Sequence, residues 1–175
     1  MKNLNKNKGI VFWITGLSGS GKTTIAKKIK GSIEKSYGRT ILFSGDDLRN
    51  ILNFKYYDEK TRLLYAKSYS KLVQNISNQN INVIIATVAL FKEIHFLNRM
   101  NIKNYCEIYI ISNTKEIIKN KKKKIYYKYK KNLVGIDIKP QFPLNPNIQI
   151  LNNFKKPIDD LCKIILKKIY LLYKC

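Results

Sequence analysis

Eight consecutive residues, Gly16-Leu17-Ser18-Gly19-Ser20-Gly21-Lys22-Thr23, carry the densest chemistry in the chain. They fit G-x-x-x-x-G-K-[ST] without a mismatch, the spacing of a loop that cradles phosphates. The glycines let successive backbone N–H groups turn inward toward phosphate oxygens, and a helix starting at the end of the loop adds its positive dipole end. Lys22 can then reach the outer phosphates of a triphosphate, and the Thr23 hydroxyl can ligand Mg²⁺. Gly16, Ser18, Gly19, Ser20, Gly21, Lys22, Thr23 and the following Thr24 are therefore the candidate triphosphate-binding residues. The motif also has the flanks it requires: residues 9–15 are mostly apolar and rich in β-branched side chains, and residues 24–30 are apolar at helical spacing.

A second group lies at residues 44–49. Asp46 follows the short apolar run 40–44, and a carboxylate at a strand end faces the crevice of a parallel sheet. There it could accept a proton from an attacking hydroxyl, hold the Mg²⁺ shell, or do both in sequence. Asp47 reads equally as the cap of a helix beginning at Leu48.

These groups need a frame, and the chain alternates strand and helix around them. Strands are predicted at 9–15, 40–44, 82–88, 106–111 and 148–151. Helices are predicted over about 22–36, 57–78, 91–100 and 114–124, with Asn113 or Thr114 as the cap of the last. A C-terminal helix is opened by Pro157 and runs to about 174. The expected core positions are Leu63, Leu64, Ala66, Leu72, Val73 and Ile76 on the 57–78 helix, and Leu161, Ile164, Ile165, Ile169 and Leu172 on the last. Strands separated by helices of this length imply an α/β domain with a parallel sheet covered on both faces. The strand ending at Asp46 can lie beside the strand that feeds the phosphate loop. The 175 residues read as a single domain without internal repeats, preceded by a polar extension over 1–8.

The balance of 34 Lys+Arg against 11 Asp+Glu gives a formal charge of +23. Such a charge fits a polyanionic partner. Lysine, asparagine, isoleucine and tyrosine are frequent throughout, however, and no separate basic arm stands out, so compositional bias is the simpler account and nucleic acid is disfavoured. Cys106, Cys162 and Cys175 are odd in number and far apart, which indicates neither a disulfide framework nor a zinc site. The N-terminus lacks a secretory apolar core and no apolar run reaches membrane-spanning length, so a cytoplasmic protein without membrane attachment is expected.

Three segments taken together resemble the adenylyl-sulfate kinases: residues 16–26, GLSGSGKTTIA; residues 44–49, SGDDLR; and residues 134–137, VGID. The corresponding family segments read roughly GLSGSGKST-IA, DGDNVR and TGID, in the same order and spacing, over about residues 10–151. The resemblance implies a P-loop kinase fold that uses ATP and Mg²⁺ to phosphorylate the ribose 3′-hydroxyl of adenylyl sulfate. It implies that Asp46 lies near the reacting hydroxyl, with Lys22 as its catalytic companion on the phosphates and Thr23 and Asp46 at the metal. Arg49 maps to a substrate-binding arginine and Phe54 to one of two aromatic plates around the base. Lys124, in KIYY, maps to the lid lysine of KGLY, and Ile136 and Asp137 belong to the substrate-side GID segment.

Departures from the family pattern are confined to the acceptor side. The ISP segment is replaced by Val88-Ala89-Leu90, so the family's serine is Ala89, which has no oxygen to phosphorylate. In place of D-R-x-E-N the chain reads Asp58-Glu-Lys-Thr-Arg62, which puts Glu59 and Arg62 where the family has arginine and asparagine. The second plate is Leu133. Adenylyl sulfate is accordingly one reading of the acceptor, and cytidine diphosphoramidate, used by a branch of the family in making capsule phosphoramidate groups, is the alternative. A nucleotide-binding protein without activity is the rival class, opposed by the joint presence of Lys22, Thr23 and Asp46. The lysine cluster at 119–131, interleaved with tyrosines, reads as part of a lid over about 119–135. His95 has no ligand partner at metal spacing and reads as a core or surface residue. A homodimer is one open assembly.

Overall fold

The computed structural model describes residues 4, 5, 7–120 and 132–173. Five strands form one parallel sheet: β1 (Val11–Gly16), β2 (Thr40–Ser44), β3 (Asn82–Thr87), β4 (Tyr105–Ile111) and β5 (Ile148–Leu151). Their order is β2-β3-β1-β4-β5. All four pairings are parallel, so each connection must cross a face of the sheet, and helices make the crossings. The helices are α1 (Lys22–Tyr37), α2 (Gly45–Ile51), α3 (Glu59–Ser77), α4 (Lys92–Asn101), α5 (Thr114–Lys119) and α6 (Ile158–Leu172).

The alternation of β1 shows how the two faces are filled. Phe12 and Ile14 point to the side covered by α1 and α6, where they meet Ile25, Ile29, Ile33, Ile165 and Ile169. Val11 and Trp13 point to the opposite side, against Val73 and Tyr69 of α3 and Ile94 of α4. A strand buried on both faces has no polar positions, which is why the runs at 11–14 and 83–86 read as continuous apolar segments. Tyr173 closes the first layer at the end of α6: its ring meets Phe12 edge-on and its hydroxyl donates to the Tyr105 carbonyl at 2.8 Å.

Among the described residues the predicted strands and helices are found within a few residues of their expected limits, with some exceptions; the expected ends of the 114–124 helix and of the C-terminal helix lie outside the described residues. β2 does not lie beside β1, because β3 is inserted between them. Asp46 therefore reaches the phosphate loop across the end of a neighbouring strand. The helix after β2 begins at Gly45, and its cap is Ser44, whose Oγ accepts the Asp47 N–H at 3.1 Å; Asp47 is a first-turn residue and not the cap. Asn113 is the cap of α5. On α3, Leu64 is 60% exposed, and the buried face carries Tyr65, Ala66, Tyr69 and Val73. On α6, Ile164 is exposed and Cys162 takes the inward position. Cys106 and Cys162 are buried, and neither forms a disulfide among the described residues. No helix among the described residues is long and apolar enough to cross a membrane.

Candidate active site

The carboxyl ends of β1 and β3 open into a cleft of about 530 Å³. Its floor is the loop between β1 and α1. Gly19 and Gly21 take φ values of 82° and 93°, in the left-handed region that favours glycine, and this curls the loop around its own N–H groups. Gly16 leaves no room for a side chain, since a Cβ there would lie 2.5 Å from the Ile110 carbonyl oxygen. No side chain caps α1 at Gly21, and its first turn carries no acidic residue, so the helix presents its positive end to the cleft. Lys22 is buried, and its Nζ donates to the Leu17 carbonyl at 2.7 Å, which holds the ammonium across the loop.

Not every residue of the motif faces the cleft. Ser18, Gly19, Gly21, Lys22, Thr23 and Thr24 line it. Gly16 and Ser20 shape the loop from behind, and the Ser20 hydroxyl is buried with no hydrogen-bond partner among the described residues. Asn152, just beyond β5, supports the loop from the side. It is buried, and its Nδ2 donates to the Ser20 carbonyl at 2.9 Å.

Asp46 stands on the opposite bank, in the first turn of α2, and lines the cleft with Gly45. Gly45 sits close against Thr87 at the end of β3, where a Cβ would approach the threonine Oγ1 to 3.1 Å. That packing sets the carboxylate opposite the phosphate loop. The described residues contain no group of three or more His, Cys, Asp or Glu able to hold a metal. A cleft that offers the Thr23 hydroxyl and a single carboxylate, Asp46, suits Mg²⁺, which keeps several waters and is shared between protein and substrate phosphates.

The acceptor side is built of flat groups. The Arg49 guanidinium lies 4.2 Å from the centre of the Tyr57 ring and 5.1 Å from that of Tyr65, while Arg62 lies 5.1 Å from Tyr57. Phe54 stacks on Tyr65, with ring centres 3.8 Å apart and planes 4° from parallel. Both arginines are held by backbone: Arg49 donates to the carbonyls of Phe54 and Tyr56, and Arg62 to those of Tyr57 and Asn132. Neither forms an ion pair among the described residues. Burial, and next the neighbouring Arg49, lower the Arg62 pKa from its usual value. Two guanidiniums in one recess favour an anion between them. Burial also raises the Tyr69 phenol, keeping it a neutral donor.

Several predicted acceptor residues take places other than those expected. Arg49, Arg62 and Leu133 line the cleft, as does Ala89. Phe54 does not; its ring is spent behind the wall on Tyr65, and Tyr57, Tyr65 and Tyr69 are the aromatic residues that line the cleft on this side. Ile136 is 53% exposed. Asp137 accepts the Leu133 N–H at 2.9 Å and so closes the turn that presents Leu133. Glu59 is exposed in the first turn of α3 and is absent from the cleft lining. Lys124 and most of the proposed lid lie outside the described residues. The segment that follows is anchored: Gly135 packs against Leu17, where a Cβ would come within 2.8 Å of Cδ2.

Sequence reasoning missed Tyr57, Tyr65, Tyr69, Asn152 and Phe154 as cleft residues. A signal was present for two of them, because Arg62, Tyr65, Ala66 and Tyr69 follow the i, i+3, i+4, i+7 spacing of one helix face. His95 is a buried core residue behind the cleft. Its Nδ1 lies 2.7 Å from Glu107 Oε1 and its Nε2 lies 2.9 Å from the Gln141 carbonyl, while Arg99 donates to the other Glu107 oxygen. Gln141 in turn ties residues 90–92 to its own segment, donating from its N–H to the Leu90 carbonyl and accepting the Lys92 N–H on its side chain.

Comparison with known proteins agrees with this arrangement. Residues 8–151 match the family model described as adenylylsulphate kinase. The chain is 35% identical to the cytidine diphosphoramidate kinase of Campylobacter jejuni, over 95% of this chain and 99% of that protein. It is 31% identical to the adenylyl-sulfate kinase of Pseudomonas aeruginosa, over 84% of this chain and 79% of that one. Among solved structures, the APS kinase CysC of Mycobacterium tuberculosis, in complex with AMPPNP and APS, superposes with a TM-score of 0.81 at 22% identity, covering 93% of this chain and 98% of that one. At that identity the likeness speaks for the fold.

Proposed function

The chain is a kinase of the adenylylsulphate kinase family, and from that premise we propose that it transfers the ATP γ-phosphate to the ribose 3′-hydroxyl of cytidine diphosphoramidate. The observation that carries this choice of acceptor is the placement of Arg62 and Leu133 on one cleft wall. The recess offers a leucine and a tyrosine to a base where two aromatic plates would grip a purine, and base stacking is worth roughly 1–3 kcal/mol per base in single-strand binders. A pyrimidine, with its smaller face, loses less of that energy. The 35% identity with the Campylobacter jejuni kinase, over nearly the full length of both chains, supports the same choice. Adenylyl sulfate is the second reading, favoured by the 31% identity to the Pseudomonas aeruginosa kinase.

In this reading Lys22 and the N-terminus of α1 neutralise the triphosphate, and Thr23 and Asp46 would hold Mg²⁺, which would supply further charge neutralisation when bound. Asp46 also orients the acceptor hydroxyl and takes its proton. Arg49 and Arg62 hold the anionic bridge of the acceptor. Ala89 carries no oxygen, so transfer is direct and in line. Catalysis by such a site is almost entirely positioning and charge neutralisation.

Competition between the two acceptors with ATP and Mg²⁺ tests the proposal. Cytidine diphosphoramidate should win in kcat/KM by at least about tenfold, since a site shaped to one base leaves polar groups unpaired with another. A comparable margin for adenylyl sulfate would overturn it. Arg62→Asn should shift the ratio toward adenylyl sulfate, and an unchanged ratio would remove Arg62 from the selectivity argument.

A further inference from the structure

A buried asparagine outside the phosphate loop touches the loop at the peptide between Ser20 and Gly21. Asn152 is 3% exposed and leaves β5 with both ends of its side-chain amide in use. Nδ2 donates to the Ser20 carbonyl at 2.9 Å, and Oδ1 accepts the Phe154 N–H at 3.1 Å. Turned over, the amide would set oxygen against oxygen and N–H against N–H, so its orientation is fixed by its neighbours. The backbone beneath is fixed as well: the Asn152 N–H donates to the Ile111 carbonyl at 2.8 Å, and the Ser112 hydroxyl donates to the Asn152 carbonyl at 2.9 Å.

A trans peptide points its C=O and its N–H in opposite directions. The Ser20 carbonyl is turned to Asn152, so the N–H of the same peptide, which belongs to Gly21, is turned away from Asn152. Gly21, at φ 93°, is one of the glycines whose freedom allows the peptide to flip, and a peptide between flexible positions needs an external contact to hold one orientation. We propose that Asn152 is a positioning residue for the phosphate donor: by holding the Ser20 carbonyl outward it aims the Gly21 N–H at the bound triphosphate. This rests on the kinase reading and adds to it a residue from the far edge of the sheet, more than 130 positions away in sequence.

The test uses the full chain, ¹⁵N-labelled, with ATP as the probe, and compares the unsubstituted protein with Asn152→Asp, Asn152→Leu and Ser112→Ala. Calorimetry reads ATP affinity and the Gly21 amide resonance reads the peptide. At pH 8 the aspartate opposes the Ser20 carbonyl. ATP affinity should then fall by about tenfold or more relative to the unsubstituted chain, and the ATP-dependent downfield shift of the Gly21 amide should disappear. As the pH falls, the protonated acid becomes a donor to Ser20, and affinity relative to the unsubstituted chain at the same pH should recover in Asn152→Asp while Asn152→Leu stays weak. Ser112→Ala loosens the same strand end without touching the side-chain amide and should leave both readouts within about twofold.

A Gly21 response and an affinity unchanged in both Asn152 variants would overturn the proposal. So would a loss matched by Ser112→Ala, which would make Asn152 a mere brace of the strand end. Should Asn152→Asp fail to fold, Asn152→Gln, which keeps the amide but displaces it by one methylene, carries the test: loss of the Gly21 response supports the proposal and a normal response overturns it. Failure of the unsubstituted chain to bind ATP would overturn the kinase reading together with this one, whereas normal binding with unaffected variants overturns this one alone.

Discussion

Lys22 and Asp46 face each other across the cleft, and their roles separate cleanly in experiment. Lys22 is buried by the loop it serves, and its ammonium donates to a carbonyl of that loop. Lys22→Ala should abolish turnover with little change in the far-UV circular dichroism spectrum; near-normal turnover would remove the phosphate-loop assignment. Asp46 is exposed in the cleft and contributes nothing to the core. Asp46→Asn should therefore lower kcat by roughly 10²–10⁴-fold, the usual worth of a positioned acid or base, while ATP affinity changes far less. Loss of ATP binding without a defect in the transfer step would assign Asp46 to the donor alone. The phosphate loop was legible in the sequence because its chemistry is local, eight residues in a row. The acceptor wall was legible only in part: Arg49, Arg62 and Leu133 lie at the cleft as expected, but Tyr57 and Tyr65 join them only through the fold, and a plate assigned by position in the chain, Phe54, is used to back another plate.

The elements of the sheet were legible for the same reason that they are stable. Strands buried on both faces and helices with a single apolar stripe leave a clear periodic trace, and β5 is found at its predicted limits. What the trace did not give was strand order, which depends on right-handed crossovers and on which faces need cover. Nor did it reveal that β3 separates β2 from β1. Leu64 and Ile164 fit an apolar helical stripe in the sequence, yet they are exposed; the inward positions are held by Tyr65 and Cys162, one residue away or two. Leu64→Gln should accordingly change the melting temperature little, whereas Val73→Ala on the buried face should lower it measurably, a contrast that thermal unfolding would check. The polar cluster behind β4 has larger consequences. Glu107 is fully buried and holds His95, Arg99 and the Tyr105 hydroxyl together. Removing one partner of a buried charged cluster typically costs about 3–5 kcal/mol. Glu107→Ala should show a destabilisation of that order in denaturant unfolding, and a variant as stable as the parent would mean that the cluster is energetically idle.

At the scale of the whole molecule the excess of 23 positive charges finds a use without any nucleic acid. Both substrates of the proposed reaction are anions, and a positive protein draws them in faster at low salt. kcat/KM for the acceptor should fall as ionic strength rises past about 0.15 M, where the screening length is about 8 Å, with kcat itself nearly constant. A flat salt profile would assign the charge to composition alone. The two sides of the cleft also have different histories open to them. The floor is written in backbone, in φ values and carbonyl directions that few residues can reproduce. The wall that includes Phe54, Tyr65, Arg49, Tyr57 and Arg62 is a pile of planes, and planes can be exchanged one at a time for others of like thickness. A lineage built on such a scaffold can revise what it phosphorylates by single substitutions while inheriting, untouched, the means of doing so.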